Sequence, residues 1–177
     1  EDGIRDHCVT GVQTCALPIF TANPDEANRF MTGLDFGAAA GQDVRGCARH
    51  LKAAGAPKVA VGGFCMGGAL TVIAAVHVPE VDAAVCFYGI PPVEAADPAK
   101  IRVPFSGHFA QQDDWCTPAA VDALEAAMRR GGVSSEVFRY EAQHAFMNER
   151  RPEVYDKACA DLAWKRATAF LDRTLRG

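Results

Sequence analysis

Residues 63–68 read Gly-Phe-Cys-Met-Gly-Gly, set between a short apolar run with β-branched residues, Lys58–Phe64, and a small, apolar run, Gly67–His77. No other stretch restricts the fold as much. A side chain at the apex of so tight a strand-to-helix turn must adopt a backbone conformation that a residue with a Cβ holds only under strain. Its neighbours two before and two after are expected to lie too close to the chain for a side chain, a demand that Gly63 and Gly67 meet. Gly68 would let the helix approach the sheet. Cys65 then occupies a G-x-nucleophile-x-G elbow. The helix start directs its positive dipole end at the sulfur, favouring thiolate over thiol, and the Met66 amide would face an oxyanion formed there. Taken alone, Cys65 reads equally well as a small buried hydrophobe in a Gly-rich turn.

The surrounding pattern alternates. Phe36, Ala40, Val44, Cys47 and Leu51 recur at helical spacing up to Gly55, and Val81–Tyr88 is a second strand closed by Gly89 and Pro91-Pro92. Ile101–Phe105 begins a third strand, with polar loop chemistry from Gln111 to Thr117. Thr117-Pro118 caps a helix with Val121, Leu124 and Met128 on one face, ending at Gly131-Gly132. Val133–Tyr140 is a fourth strand. Pro152 opens a last helix with a buried stripe of Tyr155, Cys159, Leu162, Ala163, Ala167, Phe170 and Leu171. This order predicts an α/β fold, a mainly parallel sheet with helices on both faces.

Composition narrows the partners. The chain of 177 residues is 49% apolar and 23% charged, a globular balance, with a net charge of −4 and no basic block. Nucleic acid and anionic membranes are therefore poor partners, and the longest largely apolar run, Ala69–Val76, is too short to span a bilayer. Seven cysteines, an odd number without a Cys-x-x-Cys pair, fit reduced thiols in the cytoplasm better than disulfides or zinc. His50 and His77 pair with no Cys or Asp at ligand spacing, so a metal site is not expected.

Two residues downstream change the reading of Cys65. Asp113 lies in the loop after the third strand and His144 just after the fourth. Nucleophile, acid and histidine thus fall in that order at the ends of successive strands. His144 would deprotonate or ion-pair with Cys65, and Asp113 would hold the imidazole tautomer. Asp114 is a second candidate for the acid. Trp115 reads as a pocket wall or a half-buried core residue, Cys116 as packing, and His108 as a structural histidine at a strand end. Glu94, Glu141 and Glu149 read as solvated loop charges.

At VAVGGFCMGGAL, VDAAVCFYGIPP, GHFAQQDDWCTPAAV and YEAQHAFMN the chain resembles the dienelactone hydrolase family of α/β-hydrolases, from about Phe36 to the C-terminus. The resemblance implies Cys65 as nucleophile, Asp113 as acid and His144 as base. It implies hydrolysis of a small ester, lactone or thioester through an acyl-cysteine, without metal or cofactor. Trp115, Phe146 and Asn148 would border the substrate. Members that open dienelactones carry an arginine four residues after the histidine. Asn148 stands there, and an amide cannot form the bidentate charged pair with a substrate carboxylate.

The resemblance also implies strands upstream of the elbow, with a second oxyanion donor and a carboxylate that tunes the cysteine. Between Phe20 and Lys58 there is one helix and no strand pattern. Glu1–Asp6 and Val9–Ile19 can be back-translated to a short-read sequencing adapter, with His7 and Cys8 at its index. Residues 1–19 are therefore expected to be non-native and 20–177 a partial domain, unstable and weakly active as it stands. Monomer and homodimer remain equally open. The rival readings are a catalytically silent binding or dimerisation module and a DJ-1 or amidotransferase-like cysteine enzyme. The second expects a His-x-Glu pair, whereas Ala145-Phe146 follows His144.

Overall fold

The computed structural model describes residues 32–176 together with Asp25 and Arg29. The expected non-native segment 1–19 lies outside the described residues. Helix α1 runs from an α-helical turn, Phe36–Ala38, through a π-helical stretch, Ala39–Val44, into an α-helical stretch, Arg45–Ala53. Then follow β1 (Ala60–Phe64), α2 (Met66–His77), β2 (Ala83–Phe87), a 3₁₀ turn (Pro98–Lys100), β3 (Phe105–Gln112), α3 (Pro118–Arg130), β4 (Ser135–Gln143) and α4 (Lys157–Arg176). All pairs are parallel and the sheet order is β1-β2-β3-β4, so every carboxyl end opens onto one rim.

Both faces of the sheet are covered, and all five residues of β2 are buried, as a central strand of a parallel sheet requires. On one face Ala84, Cys86, Phe105 and Phe109 pack beneath α2 and α3 through Val72, Ile73, Val121, Leu124 and Met128. On the other, Val85, Phe87, Tyr140 and Ala142 pack beneath α4 through Ala160, Ala163, Ala167 and Phe170. Each fully buried Phe or Met contributes roughly 1.5–3 kcal/mol. Opposed helix layers thus fix the strand ends.

Several element boundaries differ from expectation. The third strand starts at Phe105 instead of Ile101, because Asp97 caps the 3₁₀ turn and Ile101 is buried in its exit. It continues through Gln111 and Gln112, expected in a loop, with a register irregularity against β4 between Ala110 and Gln112. The fourth strand starts at Ser135, since the Val133 N–H is held by the Met128 carbonyl at the end of α3. The last helix starts at Lys157 instead of near Pro152, where Asp156 accepts the Cys159 N–H at 2.8 Å. Tyr155 therefore precedes α4, and Leu162, expected in the buried stripe, is 43% exposed on its outer side.

Candidate active site

Cys65 joins β1 to α2 at φ 54° and ψ −117°. Among the described residues, the other non-glycine positions with positive φ are Tyr88 and Ala145. Cys65 directly follows β1, Tyr88 directly follows β2, and Ala145 lies just past β4. All the strain of this kind is therefore gathered on one rim, at a cost on the order of 1–3 kcal/mol per residue. Hydrogen bonds hold it: the Cys65 N–H to the Phe87 carbonyl at 3.0 Å, and the Tyr88 N–H to the His108 carbonyl at 2.8 Å.

The glycines explain how the elbow closes. A Cβ on Gly63 would overlap the Gly67 carbonyl, and one on Gly68 would lie 2.6 Å from the Phe87 carbonyl oxygen. Gly67 itself has open space where its Cβ would point. The expectation that Gly67 also lacks room is thus corrected: it contributes a carbonyl that excludes a side chain at Gly63.

Three side chains from three strand ends converge here. His144 Nε2 lies 3.2 Å from Cys65 Sγ, and its Nδ1 lies 2.7 Å from Asp113 Oδ2. The Asp113 side chain is fully buried and that of His144 is 20% exposed. The other Asp113 oxygen, Oδ1, accepts the N–H groups of Trp115 (2.8 Å) and Cys116 (2.9 Å), so one carboxylate holds both the imidazole and its own loop. Asp114, the rival acid, points into solvent.

The electrostatics follow. The hydrogen bond with His144 lowers the Cys65 pKa, assisted by the Met66 amide and opposed by burial. The same bond raises His144, as does Asp113, against desolvation. Both shifts favour a thiolate–imidazolium pair. The neighbouring thiols behave oppositely. Burial pushes Cys116 up to about 12 and drives Cys86 higher still.

The remaining candidates separate. Trp115 is 73% exposed, not half-buried, with its ring centroid 6.3 Å from that of His144. Phe146 is fully buried, packed against Tyr88 at 5.4 Å and Tyr140 at 5.1 Å, so it backs the histidine instead of bordering open space. Asn148 is exposed and its Oδ1 accepts the Arg150 N–H at 3.1 Å. Cys116 is buried, in keeping with a packing role. His108 lies within β3, not at its end. Sequence reasoning gave no role to Tyr88, whose ring meets His144 edge-on at 5.1 Å. Its signal was an aromatic directly before the glycine that ends a buried strand, for a Cβ on Gly89 would overlap the Cys65 carbonyl.

Among the described residues no cluster of three or more His, Cys, Asp or Glu side chains could hold a metal ion, and no helix is long and apolar enough to cross a membrane.

Known proteins share this fold. A solved structure titled as a putative dienelactone hydrolase from Klebsiella pneumoniae superposes with a TM-score of 0.75 at 24% identity, over 85% of this chain and 67% of that one. A dienelactone hydrolase-like promiscuous phosphotriesterase from metagenomic libraries gives 0.73 at 22% identity, over 88% and 70%. These likenesses establish the α/β-hydrolase fold. In sequence, the chain is 37% identical over 120 residues to "Protein usf" of Aquifex pyrophilus, covering 67% of this chain and 52% of that protein. It is 35% identical over 121 residues to a "Putative carboxymethylenebutenolidase" of Aquifex aeolicus, again covering 67% and 52%. The chain thus spans about half the length of these curated relatives. The dienelactone hydrolase family profile matches residues 21–175. With nearly the whole chain inside that match, the chain belongs to the dienelactone hydrolase family.

Proposed function

We propose that this site hydrolyses a carboxylic ester, lactone or thioester through an acyl-cysteine, with Cys65 as nucleophile, His144 as acid and base, and Asp113 as the group that orients His144. The supporting observation is the continuous contact from sulfur to imidazole to buried carboxylate at 3.2 and 2.7 Å. The Cys65 thiolate attacks the carbonyl carbon and forms a C–S bond, and the resulting oxyanion takes the Met66 N–H. Collapse breaks the carbon–oxygen or carbon–sulfur bond to the leaving group, which receives the Nε2 proton of imidazolium. The electrostatics then reverse. With the thiolate consumed, His144 loses the largest interaction that raised its pKa. Neutral imidazole takes a proton from water, hydroxide attacks the thioester, and the thiolate leaves to restore the ion pair. A nucleophile that must stay reduced suits the cytoplasm.

The test is intact-mass spectrometry after rapid quenching with a short-chain aryl ester. The expected result is one acyl adduct on Cys65, absent from Cys65→Ala. Equal hydrolysis by both proteins with no adduct would overturn Cys65 as the nucleophile, and no hydrolysis by either would leave a binding module.

A further inference from the structure

Exposed large apolar side chains are unevenly distributed. Among the described residues they are Phe64, Met66, Val93, Trp115, Leu162 and Trp164. The last two lie on α4. The other four flank the elbow or lie in the loops leaving β2 and β3, on the rim that carries Cys65. Single exposed apolar residues need no explanation, but several gathered around a reactive group mark a binding surface.

Trp115 stands out because its position is built. Its backbone N–H donates to Asp113 Oδ1 at 2.8 Å, on the carboxylate whose other oxygen holds His144 at 2.7 Å. The Trp115 backbone thus hangs from the same carboxylate as the imidazole, and the indole ring centre lies 6.3 Å from that of His144, tilted by 34°. An exposed indole is normally free to wander; this one starts from a backbone fixed by a buried acid. Its neighbour Asp114 is an exposed anion, and Asn148 is a neutral amide. The nearest cations in sequence to Asn148 are Arg150, which is exposed, and Arg151, which is paired with Glu153 at 2.8 Å.

We propose that Trp115 is a specificity-determining wall that selects esters with a flat, uncharged aromatic group beside the scissile bond, in place of the anionic substrates that an arginine at position 148 would hold. This deepens the hydrolytic reading and rests on it. The indole face takes the ring by offset stacking, Asp114 disfavours a carboxylate, and nothing at position 148 compensates an anion.

Two measurements test it separately from the hydrolytic reading. The first compares phenyl acetate with ethyl acetate, and methyl 4-acetoxybenzoate with 4-acetoxybenzoate, each rate divided by its hydroxide-catalysed rate. Trp115→Ala is expected to lower kcat/KM for the neutral aryl esters by about tenfold, through KM, leaving ethyl acetate within about twofold. Trp115→Phe should restore most of the loss. An unchanged aryl-to-alkyl ratio overturns the proposal, and so does a preference for the anionic ester, which would assign the grip to Arg150. The second uses the Cys65→Ala, Trp164→Phe chain, whose sole tryptophan is Trp115. Methyl 4-hydroxybenzoate should quench its fluorescence saturably, and more tightly than 4-hydroxybenzoate. Saturable quenching without ester turnover in the wild type keeps the subsite and removes the hydrolytic reading. Turnover without quenching does the reverse.

Discussion

His144 and His108 each stand between two hydrogen-bonding partners, and on paper each could head a relay. His108 Nε2 lies 3.2 Å from Ser106 Oγ and its Nδ1 lies 2.8 Å from the Tyr140 hydroxyl, while Ser106 also bonds Glu136 at 3.2 Å. Yet His108 is fully buried, in the middle of β3. Burial, and then Arg166, push its pKa down to about 4. Its carboxylate lies beyond the serine, off the imidazole, so nothing stabilises an imidazolium. His144 has a carboxylate on one ring nitrogen and an ionisable sulfur on the other, and its pKa moves up. The proposed chemistry therefore lies where strands end in strained backbone. Mid-strand, the same imidazole becomes a satisfied part of the core.

Exchanging the two partners gives the largest contrast. Cys65→Ala is expected to lower kcat/KM for an aryl ester by roughly 10³-fold or more, whereas Ser106→Ala should leave activity per folded molecule unchanged. Asp113→Asn keeps an oxygen for the Trp115 and Cys116 amides but replaces the charge on His144, and should cost roughly 10³-fold in kcat. His108→Ala inverts the pattern. It should lose about 3 kcal/mol in urea unfolding, from a cavity and two hydroxyls that each lose a partner, with kcat/KM preserved.

A smaller effect separates the thiols. Because the Cys65 pKa is lowered from 9.0, its thiolate fraction at neutral pH exceeds that of an ordinary thiol, whereas Cys159 is pushed up by burial and Asp156. Iodoacetamide at pH 7 should label Cys65 at least about tenfold faster than Cys159, read by peptide mass spectrometry. As pH falls, Cys65 labelling should fade below the pH at which ordinary thiols fade. His144→Ala should move that midpoint back up, because the imidazole is the largest cause of the shift.

The open rim was legible where function imposes spacing, and the packed interior was less so. Gly63, Cys65 and Gly67 announce an elbow, and Asp113 and His144 fall just beyond strands whose apolar runs are visible, so their meeting follows from parallel order. Contacts made at a distance left no local trace. His108 sits in FSGHFA, where nothing states that Tyr140 and Ser106 will bracket it. Phe146 is expected to border the substrate, yet it turns under Tyr88 into the core. Leu162 fits a helical stripe, but the small residues Ala160, Ala163 and Ala167 set the closer contact face of α4. Gly67 illustrates a motif residue whose place was clear and whose reason was not.

The smallest effect refines the buried side. Arg166 lies 4.3 Å above the Phe138 ring centre and 5.5 Å above that of Tyr140, and it is the second cause of the His108 shift after burial. Arg166→Met keeps an apolar stem of similar reach and removes the cation, so stability should fall by only about 0.5–1 kcal/mol. The sign of the pH effect is fixed. A histidine depressed from 6.5 to about 4 takes up its proton more readily in the unfolded chain. Its contribution is therefore complete above pH 6.5 and is lost as pH falls toward 4. Without the guanidinium the folded value should rise and stay below 6.5, because burial remains, and the acid loss should become shallower. An NMR titration of His108 alongside urea midpoints at pH 7 and 5 reads both quantities. An unmoved His108 with an unchanged acid slope would show that burial alone keeps this imidazole neutral.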